Sequence, residues 1–228
     1  PSPYYEMYDP QKIKLPDNWQ DHEPHFEREW SRQIVANLGE SGLREFLRVY
    51  FASVKLIDDQ VGRILKTLDQ LGITDDTIIL FAADHGDMAG GHGMVWKSTT
   101  AFYDEIVRVP LLIRYPRRLP VQQYDSPVDL VDVMPTLMDL IGKSVPEKVQ
   151  GVSVVPFLVG KADRSQARQY SFCERIPAHP KGLRQIEPGT QGCFMVRGQG
   201  WKYIRYPNGL EYLYDLKNDP GETRNLAG

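Results

Sequence analysis

The side chains best suited to metal binding or catalysis lie in one short segment, residues 81–97. There Asp84, His85 and Gly86 follow an apolar run and precede a glycine-rich loop. A carboxylate oxygen and an imidazole nitrogen suit a divalent metal of intermediate hardness. Asp84 and His85 would point to opposite faces of a regular strand, but a turn allowed by Gly86 at the strand end brings both toward one ion. We therefore predict that Asp84 and His85 are metal ligands; the alternative is that Asp84 only caps the turn.

The loop after this triplet carries groups that suit an anion. Small residues let backbone N–H groups approach a ligand closely, and the loop contains Gly86, Gly90, Gly91 and Gly93. Lys97 adds a positive charge for a sulfate or phosphate group, with a solvated loop lysine as the alternative. His92 is a weaker candidate for substrate binding and can instead be structural.

Composition excludes several classes of protein. The 228 residues, 41% hydrophobic and 25% charged, are typical of a globular protein. A net charge of -3 gives no basic surface for nucleic acid, so we expect no such partner. No apolar run reaches the roughly 18 residues that a membrane-spanning helix needs, so we expect no such helix. Cys173 and Cys193 lack metal-site spacing, and we favour free thiols over a disulfide.

A long helix is the clearest predicted element. Apolar residues spaced three and four apart predict an amphipathic helix over residues 41–71. Ser41 is its expected N-cap and Gly72 its expected stop. Residues 1–40 are rich in proline, which interrupts regular structure, so we expect an extended surface segment there.

Strands and a second helix follow. Unbroken apolar runs at 77–83 and 109–115 predict strands buried on both faces. Asp132 is expected to cap a helix over 133–141. This order of elements indicates an α/β layer architecture. Beyond about residue 165, short β-like runs separated by turn residues predict a small antiparallel sheet.

Motifs along most of the chain closely resemble the sulfatase family of the alkaline-phosphatase-like superfamily. The matching segments keep the family's order and comprise residues 58–63, 83–86, 91–93, 96–97, 103–111, 129–137, 201–204 and 213–222. The resemblance implies part of an alkaline-phosphatase-like three-layer α/β/α core over residues 1–160. It implies a small antiparallel sheet subdomain over residues 161–228.

The resemblance also implies a reaction. In this family a Cys or Ser in a C/S-x-P-S-R motif is oxidised to formylglycine, whose hydrate attacks the sulfur of a sulfate ester. A divalent metal, usually Ca²⁺, holds the nucleophile and the sulfate oxygens. By residue match, Asp84 and His85 fall on the second pair of metal ligands, and Lys97 on the catalytic lysine that contacts the sulfate group. The implied partner is a small sulfated substrate.

Two family features are missing from the sequence. No C/S-x-P-S-R motif occurs, and the paired N-terminal aspartates are absent, because Asp58 and Asp59 fall on the surface of the predicted helix. We therefore expect the chain to begin about midway through a longer protein whose N-terminal half carries the formylglycine. By itself it is expected to be inactive, to bind metal weakly and to self-associate through uncovered surfaces. Its compartment stays open between periplasm, cell exterior and cytoplasm.

The residue beside Asp84 keeps other functions open. Many sulfatases carry Asn there, whereas His85 resembles some sulfatases and related phosphonate and phosphodiester hydrolases. Because Ca²⁺ prefers oxygen ligands, the nitrogen makes Mn²⁺ or Zn²⁺ the alternatives. A phosphonate monoester or phosphodiester hydrolase is thus the second interpretation, and a non-catalytic glycan-binding relative is the third.

Several weaker candidates remain. His22 and His25 can line a substrate mouth or bind metal, but surface loop histidines are the favoured interpretation. Arg184, Arg197 and Lys202 can help to hold an anionic substrate, although their spacing does not require it.

Overall fold

A computed structural model of the protein describes residues 2–21, 29–97, 101–176 and 192–228. In these residues the chain forms four α-helices and six β-strands, joined by loops and short 3₁₀ turns. The backbone divides into two compact units, Pro1–Leu112 and Ile113–Gly228. The domain boundary expected near residue 160 remains a prediction.

The first helix, α1, spans Glu29–Gln70 and begins earlier than the sequence pattern predicts. It is interrupted at Gly39, whose φ of 61° and ψ of -173° are not helical. The uninterrupted helical stretch therefore begins close to the predicted start, but Ser41 lies inside it and is not the N-cap. At the other end Gly72 adopts a φ of +67°, and its N–H donates to the Asp69 carbonyl at 3.1 Å. The predicted stop at Gly72 is confirmed.

The N-terminal segment packs against α1. Ile13 and Leu15 are buried in one cluster with Val35, Leu43 and Val95. The expectation of an extended surface segment over the first 40 residues is therefore wrong. Apolar residues between the prolines, and the first turns of α1, contribute to the core of this unit.

The apolar stripe of α1 is buried along only part of its length. Leu43 and Leu47 are buried, whereas Val54, Ile57 and Ile64 are exposed by 50%, 53% and 59%. The periodicity is as predicted, but burial also needs a covering surface, which the described residues do not provide for the second half of the stripe. Among those residues, no helix combines the length and apolar character needed to cross a bilayer.

Asp58 and Asp59 lie on the surface of α1, as predicted. Lys55 Nζ lies 2.9 Å from Asp58 Oδ2 and 2.7 Å from Asp59 Oδ1. The hydrogen bond from Lys55 holds the pKa of Asp59 below its ordinary value. The two carboxylates therefore share an ammonium group.

Two strands, β1 (Ile79–Ala82) and β2 (Leu111–Arg114), form a two-stranded sheet, with the short helix α2 (Asp104–Val107) between them in sequence. Their predicted positions are confirmed, but the predicted burial on both faces is wrong. Phe81 is 39% and Leu112 61% exposed. In the described residues each strand has one neighbour, and burial on both faces requires further covering layers.

The predicted second helix is confirmed as α3, Val133–Leu140, which follows a 3₁₀ turn at Leu130–Asp132 and precedes α4, Val155–Leu158. The cap differs from the prediction, because the Asp132 side chain makes no cap hydrogen bond to α3. Asp132 instead forms a capping box with Asp129 around the 3₁₀ turn, and its Oδ2 accepts the Asp129 N–H at 2.9 Å.

The predicted antiparallel sheet is confirmed. Its strands are β3 (Ser171–Arg175), β4 (Cys193–Arg197), β5 (Trp201–Arg205) and β6 (Glu211–Asp215). They pair in the order β3-β4-β5-β6, each antiparallel to the next. One face is covered, and its buried apolar side chains are Cys193, Met195, Ile204, Tyr212 and Tyr214.

The two cysteines are thiols and do not form a disulfide with each other, as the sequence favours. In the pairing of β3 with β4, Cys173 stands opposite Met195 and Cys193 opposite Arg175. Burial raises the pKa of the Cys173 thiol, so it ionises less readily than an exposed cysteine.

Candidate functional site

Asp84 and His85 lie just after β1, at the carboxyl end of the strand. The Asp84 side chain is 90% exposed, and Asp84 Oδ1 accepts the His85 backbone N–H at 2.9 Å. His85 Nε2 lies 3.7 Å from Asp84 Oδ2. The chain thus brings the two predicted metal ligands together, and their binding of a metal stays a prediction.

A backbone carbonyl orients the His85 ring. His85 Nδ1 lies 2.8 Å from the Gly86 carbonyl oxygen. A carbonyl oxygen only accepts hydrogen bonds, so the neutral ring carries its proton on Nδ1. The lone pair is then on Nε2, on the side of Asp84. Metal-binding histidines are usually oriented in this way by an acceptor on the other ring nitrogen.

The pair fits part of a metal site. Divalent metals in proteins take about four to eight ligands, and Asp84 and His85 supply two side chains. In the described part of the chain, no group of three or more His, Cys, Asp or Glu side chains is placed to hold a metal ion. A complete site would need further ligands.

Two of the loop glycines, Gly86 and Gly91, use their N–H groups to bind backbone carbonyls. The Gly86 N–H donates to the Ile106 carbonyl at 2.8 Å, and the Gly91 N–H to the Met88 carbonyl at 2.6 Å. The prediction that these N–H groups face an anion is therefore wrong. A Cβ on Gly86 would lie 1.9 Å from the Glu105 carbonyl oxygen, so the position requires glycine.

Asp87 determines the backbone conformation of the loop, a role that the sequence analysis did not predict. Asp87 Oδ1 accepts the Ala89 N–H at 2.8 Å and the Trp96 N–H at 3.1 Å. Ala89 and Trp96 have φ angles of 46° and 63°, which cost free energy in residues other than glycine. These hydrogen bonds favour the unusual backbone. In turns, an aspartate side chain commonly accepts a hydrogen bond from the N–H two residues ahead. The sequence position of Asp87, next to Gly86, could therefore have identified it as a turn residue.

Lys97 is exposed and directly follows a fixed aromatic residue. The Trp96 ring stacks on Trp30 at a centroid distance of 6.0 Å and meets Phe46 edge-on at 6.4 Å. These contacts position the backbone just before Lys97. Its predicted contact with a sulfate group, and its catalytic role, stay predictions.

His92 is fully buried. Its ring stacks on Tyr103 at a centroid distance of 3.6 Å and an interplanar angle of 3°. His92 Nδ1 lies 3.4 Å from Asp21 Oδ2, and Nε2 lies 3.9 Å from Glu105 Oε1. Contacts with segments this far apart in the sequence favour the structural alternative, while substrate binding by His92 is untested.

Two of the weaker candidates, Lys202 and Arg197, lie in the described residues. Lys202 is fully buried, and its Nζ lies 2.6 Å from Glu222 Oε1, so the suggestion that it holds substrate is wrong. Arg197 is the last residue of β4, and its suggested contact with substrate stays a prediction. The candidates that fall outside the described residues are His22, His25 and Arg184.

Two family models match the chain. Residues 3–143 match the model described as Sulfatase. Residues 90–228 match the model described as N-sulphoglucosamine sulphohydrolase, C-terminal.

Curated relatives carry sulfatase names. The chain is 33% identical over 192 residues to N-acetylglucosamine-6-O-sulfatase of Bacteroides thetaiotaomicron, covering 81% of this chain and 32% of the relative. It is 36% identical over 191 residues to choline-sulfatase of Rhizobium meliloti, covering 82% of this chain and 34% of the relative. The chain thus spans about a third of these relatives.

A solved structure shows the same fold. A phosphonate monoester hydrolase from Silicibacter pomeroyi matches with a TM-score of 0.81 and 30% identity, covering 100% of this chain and 49% of that one. The predicted alkaline-phosphatase-like fold is confirmed.

Proposed function

Because the chain belongs to the sulfatase family, we propose that it is part of a hydrolase that cleaves sulfate esters. The observation that carries this proposal is the Asp84–His85 pair, with Nε2 and Oδ2 3.7 Å apart at the end of β1. Ligands of α/β proteins gather at the carboxyl ends of strands, which supports a site at this position.

We propose that Asp84 and His85 supply two ligands to a divalent metal, and that the other ligands come from residues outside this chain. When bound, the metal would stabilise negative charge on the sulfate oxygens. The Gly86 carbonyl accepts a hydrogen bond from Nδ1, which would leave the Nε2 lone pair available to a bound metal. Ca²⁺ is our first candidate, and Mn²⁺ or Zn²⁺ would tolerate the nitrogen better.

The remaining roles follow from the family. We propose that Lys97 contacts the sulfate group, since its exposed ammonium follows the fixed Trp96 backbone. A formylglycine nucleophile would lie outside this chain, because no C/S-x-P-S-R motif occurs in it.

Substitution of the two ligands tests the metal site. In the longer protein, Asp84→Asn and His85→Ala should each lower metal affinity and aryl sulfate hydrolysis by at least about 100-fold. Elemental analysis and an aryl sulfate assay measure both quantities. Asp17→Asn is the control, because Asp17 is exposed and pairs only with exposed Lys14 in the described residues. Full metal content in both ligand variants would contradict the proposal.

The isolated chain provides a second test. We expect the 228-residue chain to show no metal-dependent aryl sulfate hydrolysis and only weak metal binding, because it supplies two of the required ligands. Robust turnover by this chain alone would show that its site is complete.

A phosphonate monoester or phosphodiester hydrolase is the second candidate. The structural match to a phosphonate monoester hydrolase favours it, as does the imidazole in the ligand pair. Parallel assays of the longer protein with aryl sulfate and aryl phosphonate monoesters decide between the two, and faster sulfate hydrolysis supports our first proposal.

A non-catalytic glycan-binding relative is the third candidate. The sequence upstream in the longer protein separates it from an enzyme. A C/S-x-P-S-R motif with an acidic pair near the start supports catalysis, and the loss of both supports binding alone.

A further inference from the structure

Arg32 lines a cavity whose described wall residues include no negatively charged side chain. The cavity measures about 470 Å³, and its wall includes Arg32, Trp19, Gln20 and Gln33. This volume lies within the range of about 300–1,000 Å³ found for ligand sites. Among the described residues of the wall, Arg32 alone carries a formal charge.

The Arg32 guanidinium is incompletely satisfied. Its Nε atom is buried and has no hydrogen-bond partner among the described residues. A buried donor without a partner costs free energy, so the position favours an acceptor. The planar guanidinium binds carboxylate and sulfate groups through two parallel hydrogen bonds. Because Nε itself is covered, an oxyanion in the cavity would bind the part of the Arg32 side chain that lines the wall.

A neighbouring cavity shows the opposite arrangement. It measures about 390 Å³ and shares Trp19 and Gln20 with the first cavity. Its charges are matched, because Arg44 pairs with Glu40 at 2.8 Å and Lys14 with Asp17 at 3.1 Å. An anion is therefore favoured only on the side of the unmatched guanidinium, and a neutral part of the ligand can extend toward Trp19.

The other wall residues suit a ring with hydroxyl groups. The amides of Gln20 and Gln33 both donate and accept hydrogen bonds, as hydroxyl groups require. Trp19 adds an aromatic surface beside them. Gly93 has a φ of +65°, and a Cβ there would lie 2.7 Å from the Asp21 carbonyl oxygen. That part of the wall therefore carries no side chain.

We propose that this cavity binds a sugar-sized ring bearing a sulfate or carboxylate group, with the oxyanion on Arg32 and the ring beside Trp19. Neither Asp84 nor His85 lines the cavity. The site is thus separate from the metal-ligand pair and goes beyond the proposed hydrolase.

Titration calorimetry of the 228-residue chain tests the site. The probes are glucose 6-sulfate, glucuronate, neutral glucose and inorganic sulfate. The two anionic sugars should bind at least about tenfold more tightly than glucose or inorganic sulfate. Arg32→Gln should remove this preference. Equal binding of glucose, or inorganic sulfate binding as tightly as the sugar sulfate, would overturn the proposal.

Three further variants show whether binding depends on Arg32, on positive charge in general or on the Asp84–His85 pair. Arg63→Gln changes the same charge at an exposed position of α1 and should bind like the unmodified chain. Arg32→Lys keeps the charge without the planar guanidinium and should weaken binding less than Arg32→Gln. Circular dichroism checks that both variants fold, and Arg32→Lys provides the test if Arg32→Gln is unfolded. The double variant Asp84→Asn, His85→Ala should keep full affinity. If it loses the sugar while Arg32→Gln retains it, binding belongs to the metal-ligand pair and this inference fails, whereas the proposed hydrolase stands.

Discussion

Gly86 connects the candidate metal ligand to the backbone of the unit. Its N–H donates to the Ile106 carbonyl at 2.8 Å, and its own carbonyl accepts from His85 Nδ1 at 2.8 Å. The Glu105 carbonyl approaches so closely that a Cβ on Gly86 would lie 1.9 Å away. The orientation of the His85 ring therefore depends on a contact that only glycine permits.

Replacing Gly86 by alanine should be costly. We expect Gly86→Ala to lower the free energy of unfolding by about 1–3 kcal/mol, because the backbone must move to admit the Cβ. Gly62→Ala is the matched control, since a Cβ there meets nothing within 4 Å. It should stabilise α1 by roughly 0.5–1 kcal/mol. Urea unfolding of both variants measures the difference, and equal stabilities would disprove the close approach.

The Cys173 thiol should react slowly. Burial raises its pKa, so a smaller fraction is thiolate at any given pH than in an exposed cysteine. In a Cys193→Ser variant, labelling by a thiol reagent should be slow at neutral pH, accelerate as the pH rises through the raised pKa, and become fast in denaturant. Rapid native labelling at neutral pH would contradict the burial of this side chain.

At the level of elements, a buried ion pair connects two segments of the C-terminal unit. Lys202 on β5 lies on the covered face of the sheet, and its Nζ pairs with Glu222 Oε1 at 2.6 Å. Both side chains are almost completely buried. A charge in such surroundings is tolerated only with a partner. The pair therefore links the sheet to the segment that follows β6.

Replacing one partner of this pair should destabilise the unit more than replacing both partners. Lys202→Met leaves Glu222 buried without its cation and should cost about 3–5 kcal/mol of unfolding free energy. The double variant Lys202→Met, Glu222→Leu should recover much of that loss, because no buried charge remains. Thermal or urea unfolding of the three proteins measures the effect. A double variant less stable than the single one would refute this explanation.

For the whole chain, exposed apolar side chains lie on elements whose sequence patterns indicate burial. Ile57 and Ile64 on α1 are exposed by 53% and 59%, and Leu112 on β2 by 61%. The chain covers 32% of one curated relative and 49% of one solved structure. We infer that residues outside this chain cover these surfaces in a longer protein.

The isolated chain should therefore self-associate. Light scattering should detect dimers or larger species, because exposed apolar surfaces associate in water. Ile57→Glu with Ile64→Glu should reduce association without unfolding the chain, since both side chains are more than half exposed. Val121→Glu is the control at an exposed site elsewhere. A monodisperse monomer of the unmodified chain would count against uncovered surfaces.

The sequence by itself determined those helices, strands and turns that depend on interactions between residues close together in the chain. The periodicity of α1, its stop at Gly72 and the four strands of the antiparallel sheet followed from spacing and turn residues. So did the position of Asp84 and His85 at the end of β1, because a short apolar run followed by a glycine marks a strand end.

Only the tertiary structure decided which polar groups were already engaged. His92 Nδ1 lies near a carboxylate 71 positions away in the sequence, on Asp21. The Gly86 and Gly91 N–H groups are taken by carbonyls, and Lys202 is paired in the interior. Arg32, by contrast, lines a cavity that no local pattern predicted. Such partners depend on how distant segments pack, and neither periodicity nor motif spacing carries that information.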